Sequence, residues 1–368
     1  MHSVIQPAIS TVIVISLLIG VLIATIGLRP VQFRFSQSDT QELKGVAILM
    51  ILFAHIGNFL THSPHFLWPL SLLAGVGVDL FLFVSGYGLC KSQMVNKLSL
   101  KHWYKKRLFN LFIPLWLVLT LFALMDVLIL DKHYSVSYLV HAYLGIFPTA
   151  NLWSDINSVL WYFTLILFYY LLFPIAYIRK HVWLTAIILF FASLLFLMYE
   201  PFTGPHVKHL YKLHLVAFPL GVLIAALFSD SSHRSKFKKF NLTGKKLKNM
   251  PASFIVALIS LALVFAIGYF AYHSGVGKGV FREELICIIT MLLIVVLFVV
   301  KQVKFKFLLL MGIYSYELYL LHWPLLARYD FLYNSVPGWI ATLLWLCILL
   351  SAGWILKKLT FYISNSWK

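Results

Sequence analysis

The chain is organised as long, nearly unbroken apolar runs separated by short polar segments. Eleven runs, at 8–28, 43–62, 72–90, 108–130, 158–178, 182–199, 211–228, 252–272, 284–300, 307–327 and 338–356, reach or approach the ~20 residues that an α-helix needs to cross a hydrocarbon core. They are rich in Leu, Ile and Phe and do not alternate polar with apolar positions, which argues against the strands of a membrane barrel. The pattern predicts an all-α polytopic membrane helix bundle with about eleven transmembrane helices. The first run follows no Lys or Arg and precedes no small-residue cleavage site, so it reads as a retained helix.

The polar segments carry a second pattern. With the N-terminus outside and the spans alternating, 24 of the 30 Lys and Arg fall on the inner side and six on the outer. The inner ones include Arg29, Arg34, Lys44, Lys97, the run from Arg234 to Lys248, and Lys368. The outer ones are Lys132, Lys208, Lys212, Lys278, Arg282 and Arg328. Basic residues accumulate in cytoplasmic loops, so this bias predicts an outside N-terminus and a cytoplasmic C-terminus. The longest outer connection, 131–157, reads equally as a plain connector or as a lid or acceptor platform.

Composition narrows the function classes. Hydrophobic residues make up 61% of the chain and charged residues 11%, too few polar groups to cover a soluble globule. The net charge of +18 is then a property of membrane loops, with the lipid bilayer as partner, and no nucleic acid is expected. Cys90, Cys287 and Cys347 lie within apolar runs without metal-like spacing. They read as buried small hydrophobes, and no metal is expected.

Ionisable groups at membrane depth are costly and mark interiors or aqueous cavities. His55 follows Lys44 by 11 residues, which is three helical turns plus about 20°, so the two share a face about 16 Å apart along the axis. Asp79 lies 12 residues before Lys91, about 18 Å deep, and Glu317 lies 11 residues after Lys306, about 16 Å deep. Three rulers thus place His55, Asp79 and Glu317 at one depth. His322 is expected near the outer interface, and Asp126 reads as a solvated interfacial residue. The small residues Gly75, Gly77, Ser85, Gly86 and Gly88 suit close packing or leave room for a ligand. The segment Lys101-His102-Trp103-Tyr104-Lys105-Lys106-Arg107 reads either as inner-leaflet anchoring or as a cationic site for a phosphorylated ligand. The run 234–248 has the same two readings, with anchoring favoured.

Four stretches in order carry a resemblance. Lys44 through His55, Gly77-Val78-Asp79-Leu80-Phe81 through Tyr87, Tyr104-Lys105-Lys106-Arg107 with Pro114, and Ile313-Tyr314-Ser315-Tyr316-Glu317-Leu318-Tyr319-Leu320-Leu321-His322-Trp323-Pro324 resemble the motifs of the membrane acyltransferase-3 family. A weaker match runs from Trp161-Tyr162 to Pro174. Lys44 stands where Arg is commoner, and the acidic residue that often follows the Trp161 region is not evident. The resemblance implies a ten-helix core at 37–362, preceded by an extra helix and linker at 1–36 and followed by a short cytoplasmic tail at 363–368. No esterase-like domain follows, which implies the stand-alone form.

It also implies an acyl-CoA donor, usually acetyl-CoA, and a carbohydrate hydroxyl as acceptor. His55 is then the expected catalytic base, with Asp79 or Glu317 orienting its imidazole. Lys44, Lys105, Lys106 and Arg107 are expected to hold the CoA phosphates. Tyr316, Tyr319, His322 and Trp161 are expected at the acceptor. The rival reading is a proton-coupled transporter or flippase, since a mid-membrane His/Asp/Glu set also suits a proton relay. Against it, the two halves show no evident internal repeat.

Overall fold

The computed structural model describes residues 4, 6–28, 35–61, 63, 65–95, 99–198, 205–228, 252–275 and 279–366. Arg29, Arg34, Lys97, Lys278, Lys368 and the basic run 234–248, which entered the sidedness pattern, lie outside the described residues. Nine helices among the described residues are long and apolar enough to cross a membrane. The other two apolar runs are also helical. One forms Val182–Met198, which has 17 residues, and the other is broken into two shorter helices. The chain is an all-α multi-pass membrane bundle.

The helices are α1 (Pro7–Ala24), α2 (Gln37–Ala54), α3 (Ala74–Val95), α4 (Leu100–Leu130), α5 (Val136–Tyr143), α6 (Trp161–Ala176), α7 (Val182–Met198), α8 (Pro205–Lys212), α9 (Ala217–Leu227), α10 (Ala252–Tyr272), α11 (Val280–Val300), α12 (Lys306–Ile313), α13 (Ser315–Arg328) and α14 (Gly338–Ser366). Two start earlier than hydropathy indicates, because their first turns are polar and capped. Ser36 and Asp39 form a reciprocal capping box at α2, with the Ser36 amide donating to Asp39 Oδ2 at 2.8 Å. Ser99 caps α4. Lys105, Lys106 and Arg107 therefore lie on the first turns of a helix rather than in a loop.

The centre is built by α2, which packs on α3 and α12, and by α3, which packs on α9. These contacts are backbone against backbone. A Cβ on Gly45 would fall 2.0 Å from the Leu308 carbonyl oxygen, and one on Gly312 would fall 1.8 Å from that of Gln41. The pairings Gly45–Leu308 and Gln41–Gly312 run in opposite senses, so α12 passes α2 antiparallel. Gly86 and Gly221 bring α3 and α9 together in the same way. Gly88, by contrast, has open space around it. Helices α1 and α10 lie at the periphery, where Val12, Ile23 and Phe265 face outwards.

A two-stranded antiparallel pair, β1 (Ile26–Leu28) and β2 (Val303–Phe305), ties α1 to the bundle with Gly27 opposite Lys304. Beside it, Glu42 accepts from the Lys301 ammonium and from the Phe305 amide. Cys90 and Cys287 are buried as expected, whereas Cys347 is exposed on the outer face of α14. An apolar outer face suits a thiol in lipid as well as a core does.

Candidate active site

His55 stands where α2 changes register. The α-helix ends at Ala54 and His55–Leu60 continue as π-helix, a geometry concentrated at functional sites. The His55 imidazole faces His322 of α13, with Nδ1 3.3 Å from His322 Nε2. The protonation pattern follows from the neighbours. His322 Nδ1 lies 2.9 Å from the Tyr319 carbonyl and 3.1 Å from that of Leu318. Carbonyls only accept, so Nδ1 of His322 carries the proton and its Nε2 is bare. His55 Nδ1 then donates, shared between the Ile51 carbonyl at 2.9 Å and His322 Nε2. The remaining nitrogen, His55 Nε2, keeps its lone pair and has no protein partner among the described residues. Trp323 and Phe59 flank the ring at 5.2 and 5.6 Å.

This placement corrects two expectations. His322 is not at an outer interface; it is fully buried beside His55. Neither carboxylate orients His55. Gly77 lies against Ala47, Met50 and Ile51 of α2. Asp79, two residues or about 200° further round, therefore points away from α2. There it accepts from His214 Nδ1 at 2.7 Å, and Trp161 stacks on that imidazole at 5.7 Å. Both members of the pair are buried. Glu317 fails for another reason. Its ruler assumed one straight helix from Lys306, and the helix breaks at Tyr314 after running antiparallel to α2. Its carboxylate lies 3.4 Å from Lys357 Nζ and within electrostatic reach of Lys44.

The cations gather around that carboxylate. Lys44 feels the charges of Lys357, Arg107 and Glu317. Arg107 lies over the Trp103 ring at 5.3 Å, and its Nε is buried without a partner. One Glu317 oxygen is likewise unpartnered. Lys105 and Lys106 are exposed. The expected acceptor residues are committed within the protein: Tyr316 donates to Leu111 O and Tyr319 to Val159 O, each at 2.7 Å.

A family model for the acyltransferase domain, the acyltransferase-3 family, matches residues 43–358. The chain belongs to this family. No curated protein and no solved structure matched it. The protein is thus an acyltransferase, and the matched span contains the histidine pair, the Asp79–His214 pair and the cation cluster. It also contains a polar network at the end of the bundle remote from Lys44.

In that network Asp126 is buried rather than solvated. It accepts from Arg328, from Tyr134 and, at 2.7 Å, from Tyr329. A carboxylate with three donors has its water replaced, which is how a charge is kept inside. Arg328 also donates to the carbonyls of Asp155 and Ile156. Burial raises the Asp155 carboxyl above the usual carboxylate range, offset in part by donors from Asn151 and Thr149. The connection 131–157 is therefore anchored, and it contains α5.

Sequence reasoning missed His214 and Lys357 as site residues. His214 carried the same signal as His55, an ionisable residue inside an apolar run. Lys357 stood at the edge of the last run and served only in the sidedness pattern.

Proposed function

We propose that this acyltransferase moves an acyl group, acetyl in the first instance, from acyl-CoA to a hydroxyl of a carbohydrate. The donor enters at the cation-rich cytoplasmic end and the acceptor from the extracytoplasmic side of a bacterial plasma membrane. The observation that carries the reading is the histidine pair: His55 has one nitrogen committed to hydrogen bonding and the other bare, on the same helix as Lys44.

The donor set suits a CoA polyanion. Lys44, Lys357 and Arg107 supply three cations, and the unpartnered Arg107 Nε is a buried donor without an acceptor. Exposed Lys105 and Lys106 add long-range attraction. On α2, Lys44 and His55 are about 16 Å apart along the axis, so a ligand held by its phosphates at Lys44 must reach His55 by an extended arm.

In the reaction the acceptor hydroxyl gives its proton to His55 Nε2 as its oxygen bonds to the thioester carbonyl carbon. The imidazolium that forms is stabilised at Nδ1–H by His322 Nε2 and the Ile51 carbonyl. The C–S bond then breaks, and His55 returns the proton to the departing thiolate. His322 acts through His55 and is a positioning residue.

The test is purified protein in detergent micelles with acetyl-CoA and oligosaccharide, reading free thiol release and ester formation. His55→Gln should lower both by about 10²–10⁴ while the protein stays folded. Full activity in that variant would refute the assignment. Substrate uptake into vesicles without acyl-CoA would favour the transport reading instead.

A further inference from the structure

The segment 152–159 is laid along the part of α13 that carries His322. Besides the bonds from Arg328 to the Asp155 and Ile156 carbonyls, three more hold it there. Trp323 Nε1 donates to Leu152 O at 3.1 Å, Asn157 Nδ2 donates to Leu320 O at 2.9 Å, and Tyr319 Oη donates to Val159 O at 2.7 Å. Its outward side is fixed as firmly. Asn151 Oδ1 accepts from the amides of Trp153 and Ser154, each at 3.0 Å, and Lys132 Nζ donates to Trp153 O at 2.8 Å.

This strip carries one exposed ring and two unpartnered polar atoms. The Trp153 indole is 46% exposed, with its ring 6.2 Å from Trp323, which is itself 5.2 Å from His55. Four and five residues on, Asn157 Oδ1 and Ser158 Oγ are buried polar atoms without a protein partner, in residues that are each only 2% exposed. Buried polar atoms are nearly always satisfied, and those left over call for a polar ligand or water. An indole serving only as an interfacial anchor needs no immobilised backbone and no orphaned polar atoms in the same segment. A sugar ring needs both an apolar face to stack on and fixed groups for its hydroxyls.

We propose that the strip Trp153–Ser158 is the acceptor subsite, with Trp153 the stacking platform for a pyranose ring and Asn157 and Ser158 the groups that bond its hydroxyls. This rests on the reading of the protein as a carbohydrate acyltransferase and names the surface that recognises the carbohydrate.

The probe is a panel of glucose, galactose and N-acetylglucosamine oligosaccharides, titrated calorimetrically into the full-length protein in micelles. At least one should bind saturably. Trp153→Ala should weaken that binding about tenfold, with Trp153→Phe recovering most of it. Ser158→Ala should weaken it severalfold while leaving the melting temperature equal or higher, because it removes an unsatisfied buried hydroxyl. A merely structural serine would show the opposite. Acetyl-CoA binding should stay unchanged in all three variants. Absence of saturable binding by every sugar, or equal binding in Trp153→Ala, overturns the proposal. Failure of the catalytic reading looks different: binding survives and no CoA is released in its presence.

Discussion

The antiparallel contact between α2 and α12 is a test of how backbone packing positions the chemistry. Gly45→Ala would place a methyl 2.0 Å from the Leu308 carbonyl oxygen, and Gly312→Ala would place one 1.8 Å from that of Gln41. Both obstacles are backbone atoms, so no rotamer change relieves them and the helices must part by more than 1 Å. Overpacking of this kind costs roughly 1–3 kcal/mol, and a backbone obstacle puts it at the upper end. Alanine recovers about 0.5–1 kcal/mol through helix propensity, which leaves a net loss of about 2 kcal/mol. Gly88→Ala is the matched control, since its Cβ meets nothing within 4 Å and it keeps only the propensity gain. The functional consequence should be larger than the stability loss, because α2 carries His55 and α12 leads directly into α13 with His322. The assay pairs thermal unfolding in micelles with thiol release from acetyl-CoA. Both measures should fall in Gly45→Ala and Gly312→Ala, and neither in Gly88→Ala. If either interface variant melts and turns over like Gly88→Ala, the close approach does not hold the site.

The other expectations are more local. His55→Gln should lower turnover by about 10²–10⁴, and His322→Asn by less, with the acyl-CoA KM unchanged in both; steady-state kinetics separates the two. Arg328→Met leaves the Asp126 carboxylate buried beside two tyrosine hydroxyls and should cost about 3–5 kcal/mol. Adding Asp126→Asn should return a large part of it in the same thermal assay. Lys44→Ala and Lys357→Ala should each raise the acyl-CoA KM about tenfold and flatten its dependence on salt, without moving the acceptor KM. Kinetics at two ionic strengths checks this.

Hydropathy made the helices legible because membrane crossing demands long apolar runs, and each of the eleven runs is helical here. What it misjudged were places where local polar chemistry decides. The capped first turns of α2 and α4 are hydrophilic, so their starts at Gln37 and Leu100 were hidden from an apolar window. The break at Tyr314 left no mark on hydropathy, since both sides of it are apolar. That break is why a ruler from Lys306 put Glu317 too deep. Spacing along one helix gives Lys44 and His55 a shared face as an expectation, but spacing says nothing about which way Asp79 points around α3. That is decided by Gly77, whose missing side chain lets α2 in and turns Asp79 towards His214.

The arrangement of buried ionisable groups then argues for where chemistry is free to occur. Asp79 is matched by His214, Glu42 by Lys301, Asp126 by Arg328 and its two tyrosines, and Glu317 faces Lys357. Each pair settles a charge that the membrane interior would otherwise penalise, and each fastens one helix or connection to another. His322 is settled too, with Nδ1 on two carbonyls and Nε2 on its neighbour. His55 belongs to no such pair: one nitrogen is bound twice, and the other makes no hydrogen bond to a protein group among the described residues. A relay that passes protons through the bundle would need partners on both sides of the imidazole. A base that takes a proton from an arriving hydroxyl needs a partner on one nitrogen and a lone pair left on the other, and His55 at the end of α2 has both.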